Sequence, residues 1–288
     1  MKWTPGDRGN IEDLRGRTGG GMRAMPMGIG GVLVLLLLSW FTGVDFLSLV
    51  GGGGGGSPTP TANVGTSGAV ASSPAEEKTV DFVDAVMEDA QSTWQELLGQ
   101  RYRPTKVRLF RDAVPDTGCG YAESASGPFY CPADHFIYLD LGFFGELRQR
   151  FGASGEFAEA YVVAHELGHH VQSLLGTESQ TQQQQARNPA ERNALSVRLE
   201  LQADCYAGVW AHATARTGRA AEKRIELENG DLEQGLNAAA AIGDDRIQRM
   251  STGRVFPEKF THGTSEQRVA ALKRGFTSGD PQSCDKFQ

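Results

Sequence analysis

One segment constrains this chain more than any other: Ala160-Tyr161-Val162-Val163-Ala164-His165-Glu166-Leu167-Gly168-His169. The apolar residues Phe157, Tyr161, Ala164, Leu167 and Val171 recur around it and predict a helix turned toward a core. Two histidines and a glutamate buried in such surroundings without partners would be costly. A metal ion removes that cost. His165 and His169 are four apart, so they share one helical face and both imidazoles can reach one ion. Glu166 sits about 100° further around the helix, where it can reach a water on the ion without being a ligand. The spacing H-E-x-x-H therefore predicts a zinc site with a carboxylate base beside it.

A second pair lies in Leu199-Glu200-Leu201-Gln202-Ala203-Asp204. Glu200 and Asp204 are also four apart, on a helix made largely apolar by Leu199, Leu201, Ala203, Ala207 and Trp210. A carboxylate from a second helix is the expected third ligand of a His/His/Glu site. Glu200 is read as that ligand and Asp204 as the acceptor of a ring N–H from His165 or His169. The reverse assignment stays open. His170 is five residues from His165, about 140° around the helix and on the wrong face to share a metal. It reads as a supporting or surface histidine. His135 and His212 have no partner at ligand spacing and read as non-catalytic.

FYCPAD (129–134), YLDL (138–141), AYVVAHELGHHVQ (160–172), RLELQADCYAGVWA (198–211) and THG (261–263) resemble the bacterial neutral zinc metallopeptidase family. The likeness extends over most of residues 76–288. The two four-apart pairs also resemble the wider gluzincin peptidases. The resemblance implies Glu200 as the third ligand and an exported domain. His262, in Thr261-His262-Gly263, is the candidate donor to the oxyanion of a tetrahedral intermediate, with Arg268 as the alternative. A packing or capping role for His262 stands beside that reading.

Met25 to Val44 carries no charge and contains Val32-Leu33-Val34-Leu35-Leu36-Leu37-Leu38. About twenty apolar residues span a bilayer as a helix. Arg8, Arg15, Arg17 and Arg23 precede the run, and no Lys or Arg follows until Lys78. The positive-inside rule then predicts a single-pass protein with a cytoplasmic N-terminus and an extracytoplasmic catalytic domain. A cleaved signal peptide is the rival, but the long charged leader and long apolar run argue against it. Gly51 to Gly56 and the Ser/Pro/Thr-rich residues after them read as a tether. The expected organisation is a tail (1–24), an anchor (25–47), a linker (48–75) and a zinc peptidase domain (76–288).

The expected fold is α+β: a small β-sheet beside a helical body carrying the H-E-x-x-H helix, preceded by one transmembrane helix. Helices are predicted from about 76 to Gly99 and over 156–175, 191–217, 232–250 and 264–275. Capping boxes are expected at Asp231/Gln234 and Thr264/Gln267. Short strands are expected at 107–110, 129–130 and 136–139. Gln182 to Gln185 reads as a solvated loop. The four cysteines allow three pairings, with Cys119–Cys131 and Cys205–Cys284 preferred and buried thiols as the alternative.

A net charge of -7 with no basic face evident argues against nucleic acid as a partner. The expected function is a membrane-anchored peptidase holding one Zn2+ per chain, acting on a peptide or protein. The alternative is a membrane-tethered assembly or binding factor that keeps zinc without catalysis. The oligomeric state, the substrate and the cleavage preference are not specified by the residues.

Overall fold

The structure, a computed structural model, describes residues 1–16, 72–123 and 127–287. Helix α1 (Pro74–Leu98) starts where the Ser73 hydroxyl accepts the Glu76 N–H at 3.1 Å, with Pro74 in the first turn. Its apolar stripe, Val83, Val86, Met87, Ala90 and Trp94, is buried in the main core. After Gly99 the chain enters the sheet.

Strands β2 (Val107–Phe110), β5 (Phe129–Cys131) and β6 (Phe136–Asp140) follow the expected positions. A hairpin of β3 (Ala113–Thr117) and β4 (Gly120–Glu123) stands apart from them. The larger sheet has a fourth member that the sequence reading did not include: β1 (Ile11–Asp13) pairs parallel with β2. Its order is β1-β2-β6-β5, with β2 parallel to β6 and β5 antiparallel to β6. One edge is therefore β5, which packs against the helix bearing the metal motif.

The helical body comprises α2 (Gly142–Gln149), α3 (Glu156–Leu175), α4 (Thr177–Arg187), α5 (Arg192–Thr214), α6 (Asp231–Ala241), α7 (Asp244–Thr252) and α8 (Ser265–Ser278). The class is α+β as expected, but three local readings differ. The glutamine run lies in α4 rather than in a loop, because helix formation there needs no apolar stripe. The expected helix over 232–250 is two helices, broken at Gly243, whose extended backbone starts a new helix at Asp244. Gly230, not Asp231, precedes α6, and the Asp231 carboxylate accepts the Glu228 N–H instead. The Thr264/Gln267 capping box is present.

Both disulfides join the preferred pairs, with Cα atoms 5.8 Å apart for Cys119–Cys131 and 5.7 Å for Cys205–Cys284. The first ties the β3–β4 turn to β5, and the second ties α5 to the C-terminal turn.

Residues 1–15 and 71–288 form one compact unit, so the first fifteen residues of the expected tail belong with the domain. The expected anchor, 25–47, lies outside the described residues, as does nearly all of the linker. Among the described residues no helix is long and apolar enough to cross a membrane.

Candidate metal centre

Helix α3 carries His165, Glu166 and His169, and α5 carries Glu200 and Asp204. The two helices must approach closely for Glu200 to meet the histidines. Gly168, between the two histidines in sequence, allows this: a Cβ there would lie 2.9 Å from the Ala203 carbonyl oxygen. Helices α5 and α8 meet in the same way at Gly208 and Gly275.

His165, His169 and Glu200 converge. The Nε2 atoms of the two histidines are 3.2 Å apart, and Glu200 oxygens stand 3.2 Å from His165 Nε2 and 3.5 Å from His169 Nε2. Zinc ligands at about 2.0–2.2 Å in tetrahedral array lie about 3.3–3.5 Å from each other, so the three donors are spaced as one ion requires.

The ring orientations support the same reading. His165 Nδ1 donates to Asp204 Oδ1 at 2.8 Å, and His169 Nδ1 donates to Gln172 Oε1 at 2.9 Å. Gln172 is itself oriented, because its amide donates to Leu199 O and Gln202 Oε1. Both Nε2 atoms therefore turn their lone pairs inward, toward each other and a carboxylate. Three such donor atoms at that spacing can share one cation. Burial opposes charge on His165, yet Asp204 and Glu200 outweigh it and raise its pKa to about 10. Burial likewise opposes ionisation of Glu200, but the two histidines hold it well below the usual carboxylate range. The pocket favours positive charge.

Asp204 is the hub behind this cluster. It is fully buried and accepts from His165, from Tyr161 Oη, and from Arg268 through Nε at 2.8 Å and Nη2 at 3.0 Å. Burial pushes its pKa up, but Arg268 and His165 prevail and bring it down to about 2. Glu200 faces the two imidazoles, and Asp204 lies behind His165. Arg268 is buried and bonds Asp204, Tyr161 and the Ile242 carbonyl, and it lines the cavity in front of the cluster.

Glu166 is buried beside the cluster but outside the three-donor group. Burial raises its pKa, the two histidines lower it, and the Tyr130 backbone N–H on β5 lowers it further. His170, far from being a surface residue, is buried and bonds Tyr130 Oη at 3.2 Å and the Arg103 carbonyl at 2.7 Å. His135 Nδ1 meets the same tyrosine oxygen at 2.9 Å. These contacts fasten β5 to α3. His212 bonds the Phe276 carbonyl, away from the site.

His262 lines the same cavity of about 640 Å³ as His165, His169 and Glu200, with its side chain half exposed. Asp244, at the first turn of α7, holds it there. The Asp244 carboxylate accepts backbone N–H groups of Thr261, His262 and Gly263 at 2.8, 2.7 and 3.0 Å. It also meets His262 Nδ1 at 3.3 Å, and this bond raises the pKa of the ring. Asp244, Gln172 and Tyr130 are the site residues that sequence reasoning missed. No spacing rule connects Asp244 to a histidine 18 residues away, although Gln172 lies one turn beyond His169 on the same helix.

The isolated chain is expected to carry one zinc, and His169→Ala to lose it. Full zinc in that variant, by elemental analysis, would contradict the ligand assignment.

Three converging donors on α3 and α5, with a buried carboxylate beside them and a cavity in front, form a group that could hold one metal ion. The chain belongs to the family described as "Putative neutral zinc metallopeptidase", whose model matches residues 1–287. It is 44% identical to the uncharacterized protein YpfJ of Escherichia coli over 290 aligned residues, covering 96% of this chain and 95% of that one. It is 48% identical to the uncharacterized proteins Mb2605 of Mycobacterium bovis and Rv2575 of Mycobacterium tuberculosis over 209 residues, covering 71% of this chain and 69% of each relative. No solved structure matches it.

Proposed function

We propose that this chain is a membrane-associated zinc peptidase whose domain works on the extracytoplasmic side. The observation that carries the catalytic reading is the set of three inward-facing donors with Glu166 beside them. The apolar run at 25–44 and the two disulfides support the location.

His165, His169 and Glu200 would hold the zinc ion, which would supply the Lewis acidity that acidifies a water molecule and polarises a substrate carbonyl. Glu166 then takes the proton of the attacking water on its carboxylate and passes it to the departing amine. Asp204 and Gln172 keep the two imidazoles in the tautomer that turns Nε2 inward. Strand β5 is a sheet edge, and Phe129 and Tyr130 line the cavity. An extended peptide can join it as a further strand, with its scissile bond carried past Glu166.

His262 donates to the oxyanion through the ring nitrogen that Asp244 leaves free. Loss of one such donor costs about a hundred- to a thousandfold in turnover. His262→Ala is therefore expected to keep zinc and melt near wild type while losing turnover on that order. Unchanged turnover would reduce His262 to a loop residue, and lost zinc would make it a ligand.

The test of the function itself is casein hydrolysis by the zinc-loaded chain. Turnover should disappear with a chelator and return with added zinc. A fully zinc-loaded, folded chain that cleaves neither casein nor a peptide library would favour the non-catalytic binding factor.

A further inference from the structure

The N-terminal arm, residues 1–15, is built into the domain rather than leading away from it. In the β1–β2 ladder Ile11, Glu12 and Asp13 pair with Val107, Arg108 and Leu109. Asp84 on α1 is fully buried and accepts the backbone N–H groups of Arg8 at 2.9 Å and Asn10 at 3.0 Å. The Arg15 side chain, 1% exposed, is enclosed by Asp13, Glu76 and Glu77. Trp3 packs edge-on against Phe82, with ring centroids 5.3 Å apart.

Paired strands lie about 4.8 Å apart. The hydrocarbon core of a bilayer is about 30 Å thick. An arm and a domain on opposite faces cannot share a ladder. Nor can the arm of a second copy fill the place, since every copy would have the same topology. The charge argument for a cytoplasmic arm also weakens. Of the arginines before the apolar run, Arg8 is paired with Glu77 and Asp81, and Arg15 with three carboxylates.

We propose that residues 1–15 and 72–287 lie on the same face of the membrane, so that the chain crosses it an even number of times, zero included, between them. A single passage with a cytoplasmic N-terminus would leave β2 without β1 and Asp84 without the two arm N–H groups. This inference does not depend on peptidase activity.

The test is cysteine labelling of the full chain in bacterial spheroplasts. Thr4→Cys and Asp7→Cys place a thiol on exposed arm positions, and Lys273→Cys places one on the exposed side of α8. A membrane-impermeant maleimide is applied before and after permeabilisation. Arm and domain sites are expected to label together. Labelling of both in intact spheroplasts puts the shared face outside, and labelling of both only after permeabilisation puts it in the cytoplasm. Either result supports the proposal, and the second overturns the extracytoplasmic reading alone. An arm thiol that labels only after permeabilisation, while Lys273→Cys labels before it, overturns the proposal.

Discussion

Glu166→Gln is expected to fold, bind zinc as the wild type does, and hydrolyse peptide about a hundred- to ten-thousandfold more slowly, the usual range for a general acid–base group. The expectation follows from its position. Glu166 is buried beside the donor cluster yet outside it, so the change removes a proton acceptor and no ligand. Glutamine has nearly the same shape, and its carbonyl oxygen can still face the Tyr130 N–H. Peptide turnover and zinc content measured on the same preparation give the answer. Near-normal turnover would remove Glu166 from the mechanism, and a fall in zinc would place it among the ligands.

Asp204→Ala is expected to be the most destabilising change at the site. Arg268 is 2% exposed, and Asp204 accepts two of its hydrogen bonds. Removing one partner of a buried ion pair costs about 3–5 kcal/mol, chiefly because the other charge stays buried. The same substitution frees His165 Nδ1, and loss of such an orienting partner lowers metal affinity by about ten- to a hundredfold. Urea denaturation and competitive zinc titration measure the two effects separately. Unchanged stability would mean that the guanidinium reaches water when Asp204 is gone. Unchanged affinity would mean that packing alone orients the imidazole.

Much of the centre was legible because it is periodic. His165 with His169, and Glu200 with Asp204, each follow from the 3.6-residue turn of a helix. Their apolar neighbours showed that both helices are buried. The role of Asp204 as acceptor of a ring N–H was also accessible, since a metal-bound imidazole needs an acceptor for its other nitrogen. The four-glutamine run misled for a related reason. Its helix presents little apolar surface, so hydrophobic periodicity carried no signal there. Gly243 ended a predicted helix for a reason outside that helix: the Asp244 N–H donates to the Gly263 carbonyl, and the Asp244 carboxylate then gathers the loop that holds His262.

By itself the sequence determined what repeats within one element: the two four-apart pairs, the helices that bear them, the capping box at Thr264 and the short strands around the motif. Tertiary structure alone decided which distant groups meet. It set Arg268 behind Asp204, Asp244 under His262, the Tyr130 N–H against Glu166, and β1 beside β2. Helical and strand periodicity are imposed by local backbone geometry and can be read along the chain. A salt bridge or a ladder between residues 60 or more positions apart depends on how the core closes, and no spacing rule records that.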